Sequence, residues 1–312
     1  MDDYYYVNFI SKGGLMMNIL MTGGTGFIGE ALVTQLVSEG NHIYVLTRHP
    51  KKYQDTPNIS YISYQFPINR LPFIHAIINL AGESLFGYWT AKKKENIMTS
   101  RIEATNALIK MMAKMEDKPH TFISASAIGY YGTSESLIFT EETEDAGNDF
   151  LANVTMNWER TAGIAEDFSI RTVYTRFGLV LAKNGGSLPL MALPVQYFIG
   201  GKIGRGTQWI SWIHLEDCVR LIVYSLHNKS IQGPVNVTAP HPQRNKEFIK
   251  TLASVKGRPS FFPTPGFLLN VALGEMSTLI TDGQYVLPKK ALDSEFEFNY
   301  EYLEDALRDI YR

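Results

Sequence analysis

The chain has 312 residues, of which 45% are hydrophobic and 25 are glycine, and its formal net charge is −2. This length allows one large or two modest domains with an ample core, and the composition is typical of an α/β protein. The charge balance provides no general attraction to nucleic acid or to an anionic membrane. The single cysteine, Cys218, excludes an intramolecular disulfide.

The N-terminal residues are acidic and rich in tyrosine, and they lack the basic and apolar regions of a signal peptide. We therefore expect residues 1–16 to be a flexible extension outside the fold. No run approaches the roughly 18 apolar residues of a membrane span. A cytoplasmic location without a membrane partner is expected, and nothing in the sequence indicates an oligomer, although one is possible.

A glycine-rich turn, T-G-G-T-G-F-I-G, begins at Thr22 between a short apolar run and an amphipathic stretch. A strand, a tight turn and a helix N-terminus form the pyrophosphate site of a dinucleotide-binding βαβ unit. Here Gly23 permits the turn, Gly26 lets the backbone approach phosphate, and Gly29 lets the helix pack closely. The other predicted cofactor contacts of this turn are Thr25, Phe27 and Ile28.

The predicted second strand, His42–Leu46, is followed by Thr47 and Arg48 rather than by a carboxylate. NAD enzymes usually place Asp or Glu near this point, where it binds the ribose hydroxyls. A guanidinium can instead pair with the 2′-phosphate of NADP(H). The sequence thus predicts NADP(H) as cofactor, with Thr47 and Arg48 among its contacts. The alternative is that Arg48 is a solvated loop cation.

Apolar runs alternate with amphipathic stretches, a pattern typical of a parallel sheet covered by helices. We predict an α/β fold, a Rossmann-type doubly wound parallel sheet with a small C-terminal α/β subdomain. Residues 17–239 should form the NADP(H)-binding domain and residues 240–312 the substrate-side unit, because proline and glycine punctuation begins at Pro240. The predicted strands are Met17–Met21, His42–Leu46, Ala76–Leu80, Thr121–Ser124, Arg171–Arg176 and Val235–Thr238. The predicted helices include Phe27–Ser38, Arg101–Glu116 with Thr99 and Ser100 as possible caps, Leu151–Phe168 and His214–His227.

Two motifs, N-L-A-G at residues 79–82 and S-A-S-A-I-G-Y-Y-G at residues 124–132, follow predicted strands. They lie at the edge of an open α/β sheet where ligands bind. Glu83 comes directly after the first motif, and could be an acid/base group or an anion at a helix N-terminus. His214, in S-W-I-H-L-E-D, is more often structural than catalytic in such a context. No metal site is predicted, because the sequence has no His/Cys cluster with the spacing of metal ligands. The G-x-S-x-G motif of α/β-hydrolases is also absent, which argues against a hydrolase.

Further sequence motifs occur along nearly the whole chain from Met17 onward. They are S-R-I-E-A-T, R-F-G-L-V-L with N-G-G-S-L, S-W-I-H-L-E-D, and G-E-M followed by D-G-Q-Y-V-L-P. Together with the two edge motifs and the glycine turn, they resemble the epimerase-related subfamily of atypical short-chain dehydrogenase/reductases. This subfamily of the NAD(P)-dependent epimerase/dehydratase family ends in a domain of unknown function.

The resemblance implies roles for several residues. The backbone at Leu80, Ala81 and Gly82 should pass close to the cofactor, and Arg101 should contact a phosphate or ribose unless it is simply an exposed helix arginine. In relatives, a hydroxyl of the second motif hydrogen-bonds the substrate during hydride transfer, which makes Ser124 and Ser126 catalytic candidates. The alternative is that these hydroxyls are satisfied by local backbone.

The resemblance also exposes a difference. Relatives use Tyr-x-x-x-Lys, in which lysine lowers the pKa of a tyrosine that acts as acid or base. Alignment on W-E-R places Leu151 and Thr155 at these two positions, and neither can do this chemistry. Tyr130 or Tyr131 could replace the tyrosine, with Ser126, although a tyrosine in Y-Y-G could equally be a packing aromatic.

Three functions remain open from the sequence, of which an ordinary nucleotide-sugar epimerase is the one that the absent Tyr-x-x-x-Lys pair argues against. Of the other two, the first is an NADP(H)-dependent oxidoreductase or epimerase-like enzyme acting on a carbonyl, alcohol or sugar-type small molecule. The second is a redox-inactive NADP(H)-binding regulatory or sensor protein, which the absent Tyr-x-x-x-Lys pair makes credible.

Overall fold

A computed structural model describes residues 16–263, 271 and 274–312, so the predicted extension lies outside the described residues except for Met16. Seven parallel strands form the central sheet in the order β3-β2-β1-β4-β5-β7-β11. The strands of the described chain are β1 (Asn18–Thr22), β2 (His42–Leu46), β3 (Ile59–Ile62), β4 (Ala76–Asn79), β5 (Thr121–Ala127), β6 (Ile138–Phe139), β7 (Arg171–Phe177), β8 (Leu179–Leu181), β9 (Trp209–Ile210), β10 (Trp212–His214), β11 (Gly233–Val237), β12 (Gln243–Arg244) and β13 (Tyr285–Val286).

Helices cover both faces of this sheet. Within the described residues they are α1 (Phe27–Ser38), α2 (Ala91–Lys114), α3 (Phe150–Gly163), α4 (Leu188–Gln196), α5 (Leu215–His227), α6 (Asn245–Val255), α7 (Thr278–Thr281), α8 (Lys289–Asp293) and α9 (Leu303–Ile310). α1 and α5 pack on one face, around Ile19 and Met21, while α2 and α3 pack on the other, around Leu20 and Phe122. Strand side chains alternate between the two faces, so both sides of β1 are buried. The predicted Rossmann-type doubly wound sheet is confirmed.

The second long helix begins earlier than the sequence predicted. α2 starts at Ala91, and the Thr90 hydroxyl accepts the first-turn N–H of Lys93 at 3.1 Å, so Thr99 and Ser100 lie inside the helix rather than at its cap. The prediction was wrong because the lysine-rich first turns are mostly exposed and lack apolar periodicity. β5 also continues past the predicted end to Ala127, which places Ser126 within the strand.

The C-terminal residues are joined to the sheet at its carboxyl edge. β13 pairs in parallel with the short β6, and the Gln284 side chain donates to the carbonyl of Ile128 at 3.0 Å. α6 and α9 pack with α4 in a separate apolar cluster. The boundary between residues 239 and 240 stays a prediction. In the part of the chain described, no helix is both long and apolar enough to cross a membrane.

Candidate cofactor and substrate site

The glycine turn between β1 and α1 is packed too tightly for side chains at two of its positions. Gly23 has φ +71°, and a Cβ there would lie 2.6 Å from the carbonyl carbon of Leu80. A Cβ at Gly29 would lie 2.0 Å from the carbonyl oxygen of Gly23. Because real Cβ atoms do not approach this closely, glycine is required at both positions. The turn is therefore pressed against the N-L-A-G turn that follows β4.

Gly26 differs from its neighbours because it is exposed. A Cβ there would meet only the carbonyl oxygen of Gly23, at 3.3 Å. Gly26 is also the N-cap of α1, and no side chain caps this helix. The first-turn N–H groups have no partner within the helix, so they are donors directed at open space. This geometry fits a pyrophosphate, which a helix N-terminus binds through such donors.

Three further residues of the turn, Thr25, Phe27 and Ile28, are half-buried. Phe27 and Ile28 pack partly against the core, and Thr25 lies between Gly24 and the exposed Gly26. A Cβ at Gly185 would lie 2.5 Å from the ring of Phe27. The N-G-G-S-L segment therefore lies directly against the glycine turn, a contact that its separation in sequence did not reveal.

Arg48 is exposed just after β2, next to half-buried Thr47. The Lys93 ammonium, 2.9 Å from Glu83, lowers the pKa of that carboxyl, and Arg48 and Arg101 add smaller effects in the same direction. We call Arg48, Lys93 and Arg101 the cationic corner. Sequence reasoning missed Lys93 because it placed the start of α2 ten residues too late. Glu83 lies before the helix and is not an anion at its N-terminus.

The Arg101 side chain packs against the N-L-A-G turn and holds it by hydrogen bonds. Its Nη1 donates to the carbonyls of Glu83 at 3.1 Å and Ile97 at 2.9 Å. A Cβ at Gly82 would lie 3.1 Å from its Cζ, so this glycine makes room for the guanidinium. Burial lowers the pKa of Arg101 to about 10, because its hydrogen-bond partners are uncharged carbonyls. The predicted contact of Arg101 with phosphate or ribose stays a prediction.

Ser124 belongs to a buried hydrogen-bond cluster centred on Asn79. The Asn79 side chain accepts from Thr22 at 2.7 Å, and donates to Thr105 at 2.9 Å and to Ser124 at 3.3 Å. Thr22, Asn79 and Ser124 have no exposed surface. These bonds join β1, β4, β5 and α2 below the site, which gives Ser124 a structural role. Its catalytic assignment stays a prediction, and its burial argues against contact with a substrate.

A second group, which we call the buried polar network, consists of Ser126, Tyr131, Glu159, Arg176 and Asn236. Ser126 donates to Glu159 at 2.6 Å, and Arg176 donates to both oxygens of the same carboxylate at 2.8 Å. Tyr131 accepts from Arg176 at 3.0 Å and donates to Asn236 at 2.8 Å. Burial raises the pKa of Tyr131 to about 12. The catalytic roles of Ser126 and Tyr131 stay predictions, but both hydroxyls are already engaged.

Glu159 and Arg176 were not identified as site residues from the sequence. Ser126 and Arg176 are direct neighbours across the parallel pair β5 and β7, and Glu159 reaches them from α3. A signal was nevertheless present, because Arg176 is a charged residue near the end of a strand with apolar and buried neighbours. Such a charge requires a partner.

Tyr130 lies at the boundary between this network and solvent. It is half-buried, the guanidinium carbon of Arg176 lies 3.5 Å from its ring centre, and its hydroxyl donates to the Glu144 carbonyl at 2.9 Å. At the positions of the missing pair, Leu151 belongs to an apolar cluster, and Thr155 donates to the carbonyls of its own helix. Tyr130 thus remains a catalytic candidate, although its hydroxyl has a backbone partner.

The residues of S-W-I-H-L-E-D serve the fold. His214 Nδ1 accepts from Glu216 N at 3.1 Å, its Nε2 lies 3.4 Å from Asp309 in α9, and Trp212 is fully buried. Asp217 accepts two backbone N–H groups near Tyr300. His214 is therefore a cap between α5 and the C-terminal helix. Among described residues, no group of three or more His, Cys, Asp or Glu is placed to hold a metal.

The fold and the glycine turn together define a Rossmann-type protein, and comparison with known sequences assigns the family. Residues 19–238 match the NAD dependent epimerase/dehydratase family, and residues 264–310 match a domain of unknown function, DUF1731. The chain belongs to the NAD dependent epimerase/dehydratase family. The relationship inferred from the motifs is thus confirmed, including the C-terminal domain of unknown function.

Individual relatives are similar to this protein over nearly the whole chain. The epimerase family protein YfhF of Bacillus subtilis is 47% identical over 298 residues, which cover 94% of this chain and 98% of that protein. The crystal structure of human epimerase family protein SDR39U1 with NADPH has a TM-score of 0.86 and 30% identity, covering 94% and 99% of the two chains. A UDP-glucuronic acid 4-epimerase from Bacillus cereus has a TM-score of 0.74 at 19% identity, covering 95% and 98%, and shares the fold.

Proposed function

We propose that this protein is an NADP(H)-dependent oxidoreductase that acts on a small molecule of the carbonyl, alcohol or sugar type. The observation that carries the proposal is the uncapped first turn of α1 at the exposed Gly26, with Arg48 beyond the adjacent strand. The NADPH in the similar human structure and the NAD dependence of the family support it. We further propose residues 17–239 as the cofactor domain and 240–312 as the substrate-side unit.

We assign the cofactor contacts as follows. The N–H groups at the start of α1 and the space at Gly26 receive the pyrophosphate, and Arg48 pairs with the 2′-phosphate. The backbone at Leu80, Ala81 and Gly82 borders the dinucleotide, with Arg101 holding this turn in place. The other contacts that we assign to the cofactor are Gly23, Thr25, Phe27, Ile28, Gly29 and Thr47.

The cationic corner offers a charge argument for NADP(H). The Glu83 carboxylate is already paired with Lys93 at 2.9 Å, and Arg48 adds only a smaller lowering of its pKa. Arg48 itself has no ion pair among the described residues. An exposed guanidinium without a carboxylate partner is well suited to bind a phosphate dianion in a bidentate way.

Bound NADPH would supply a hydride, and the protein residues would position the two reactants. The N-G-G-S-L segment against Phe27 would shield the glycine turn from water on one side. Glu159 and Arg176 would fix the shape of the carboxyl edge through β5 and β7, because neither side chain is free to move without breaking several bonds.

A second candidate function has its own observation. Leu151 and Thr155 cannot transfer protons as Tyr-x-x-x-Lys does, and both are held in packing or helix hydrogen bonds. A redox-inactive NADP(H) sensor would need nothing more than the cofactor site. An enzyme consumes bound NADPH when its substrate is added, whereas a sensor leaves it unchanged.

Fluorescence titration with NADPH and NADH tests the cofactor assignment. We expect tight binding of NADPH and roughly ten- to hundredfold weaker binding of NADH, the range for one charge-assisted bidentate contact. Equal affinities would contradict the preference for NADP(H). Absence of binding to either nucleotide would contradict the proposed function as a whole.

A further inference from the structure

We propose that the hydride acceptor of this site is a quinone rather than an isolated ketone or aldehyde. The inference rests on the proposed function and names its substrate class. Two observations at the carboxyl edge carry it: the apolar surface that replaces the proton-transfer pair, and the internal partners of the hydroxyls and carboxylates that were the candidate acids of this site.

The first observation concerns what we call the apolar wall, formed by Leu85, Trp89, Phe150, Leu151 and Met276. Trp89 and Phe150 meet edge to face, with ring centres 5.4 Å apart. Leu151 packs against Gly129, the glycine that follows β5, where a Cβ would lie 3.2 Å from the leucine Cβ. The wall thus reaches the carboxyl edge of the sheet.

Part of this wall is accessible. Leu85, Phe150 and Leu151 are half-buried, and Phe86 and Tyr88 in the adjoining loop are 42% and 62% exposed. Flat conjugated rings bind such surfaces by aromatic contact and apolar burial. A sugar would place hydroxyl groups against these apolar side chains, which offer them no hydrogen bond.

The second observation concerns proton donors. Thr155 donates to its own helix, Tyr130 donates to the Glu144 carbonyl, and Tyr131 donates to Asn236. Glu159 accepts from Ser126 and Arg176, and Glu83 is paired with Lys93. Within the described residues, each of these candidate acids at this edge therefore has an internal partner.

A ketone and a quinone differ in how much they need a proton donor during hydride transfer. Hydride transfer to an isolated carbonyl produces an alkoxide about as basic as hydroxide, whose conjugate acid has a pKa far above that of a phenol. Hydride transfer to a quinone produces a hydroquinone monoanion, which resembles the anion of tyrosine with a pKa of about 10. The ketone therefore requires a proton during the transfer, whereas the quinone can take its proton from water afterwards.

The reaction balances without another reactant. The C4–H bond of NADPH breaks with both electrons, and the hydride forms a new bond to the quinone. The nicotinamide is oxidised and the quinone is reduced by two electrons. One proton from water completes the hydroquinone, so that NADPH, quinone and H⁺ give NADP⁺ and hydroquinone.

The test compares two bicyclic acceptors of similar size, menadione and 1-tetralone, with the full chain and NADPH. Since a general acid contributes about 10²–10⁴ to a rate, we expect kcat/KM for menadione to exceed that for 1-tetralone by at least about 100-fold. A ratio below about ten, or no menadione reduction by protein that binds NADPH, would overturn the inference. Loss of NADPH binding in a separate titration would instead overturn the proposed function, and the inference with it.

A matched pair of variants locates the acceptor. Phe150→Ala removes an aromatic ring from the apolar wall and should raise KM for menadione about tenfold, with NADPH affinity unchanged. Phe73→Ala removes an exposed ring beside His75, before β4 and thus at the opposite edge of the sheet, and should leave KM unchanged. If Phe150→Ala unfolds the chain, Leu151→Ala provides the same test. Equal KM values in a folded apolar-wall variant and in Phe73→Ala would contradict this location.

Discussion

The glycine turn and the buried polar network lie at the same edge of one sheet, but they are built in opposite ways. At the turn, Gly26 is exposed and the first N–H groups of α1 have no side-chain cap. In the network, the side chains of Ser126, Tyr131 and Arg176 all have partners inside the protein and are nearly inaccessible. The turn has donors available for a ligand, whereas the network uses its donors to hold the fold.

This difference separates binding from chemistry. Unpaired donors next to open space are what an anionic ligand needs, because binding then breaks no internal bond. A group that must move a proton needs access to the reacting atom, and the side chains of Ser126, Tyr131 and Arg176 are nearly inaccessible. Each of the following experiments therefore measures either stability or binding as its main readout.

The largest effect is expected at Glu159, the carboxylate that pairs with Arg176. The two side chains are 11% and 4% exposed, so Glu159→Ala leaves a buried guanidinium without its counter-ion. We expect a loss of about 3–5 kcal/mol in the free energy of unfolding, measured by urea denaturation. Arg160→Ala, an exposed neighbour in α3, should change it by less than about 0.5 kcal/mol. A loss below about 1 kcal/mol for Glu159→Ala would show that the network is not needed for stability.

Gly26→Val tests the binding role of the glycine turn. The added branches occupy the space next to the backbone where we place the pyrophosphate, while the only close atom is the carbonyl oxygen of Gly23 at 3.3 Å. We expect NADPH affinity to fall by at least about 100-fold, or about 2.7 kcal/mol, in a protein that still unfolds cooperatively. Thr34→Val places a valine at an exposed position of the same helix, away from the turn, and should leave binding unchanged. Unaltered affinity in folded Gly26→Val would refute the cofactor assignment.

Local patterns predicted the turn and much of the sheet. The helix Phe27–Ser38 and the strand His42–Leu46 have the predicted bounds because strand, turn and helix each leave a distinct short-range signal. β3 was not predicted, since Ile59–Ile62 is short and mixes polar with apolar residues. The predicted helix boundary was wrong where exposed residues show no apolar periodicity, as in the first turns of α2.

The network could not be predicted in the same way because its members meet only in three dimensions. Glu159 and Arg176 lie on a helix and a strand that the parallel topology brings together, and Asn236 comes from β11 at the edge of the sheet. The sequence indicated hydroxyl groups at the right edge, Ser126 and Tyr131. It did not indicate that a carboxylate and a guanidinium would already occupy them.

Arg48→Ala is expected to have the next largest effect. Removal of the guanidinium should lower NADPH affinity by about ten- to hundredfold and leave NADH affinity unchanged, which removes the preference for NADP(H). The readout is the ratio of the two dissociation constants from fluorescence titration. Lys52→Ala removes an exposed cation from the same loop and should alter the ratio little. An unchanged ratio in Arg48→Ala would mean that another group selects the cofactor.

The smallest effect is expected for Tyr131→Phe, which asks whether the network contributes a catalytic acid or only structure. The hydroxyl bonds Asn236 and Arg176 at 2.8 and 3.0 Å, so its loss should cost about 1–2 kcal/mol of unfolding free energy. Burial raises the pKa of Tyr131 from 10 to about 12, which favours the neutral form in the folded state. The associated stability is present below pH 10 and is lost only as the pH rises towards 12.

Between pH 6 and 9, the variant and the unaltered protein should therefore show parallel stability curves. NADPH affinity should agree within about twofold, and any NADPH-consuming activity should fall only a few-fold. A loss of turnover by about two powers of ten, the usual range for removal of a general acid or base, would contradict this expectation. It would favour Tyr131 as the replacement for the missing tyrosine, because the loss of a hydrogen bond that only supports packing should lower stability much more than turnover.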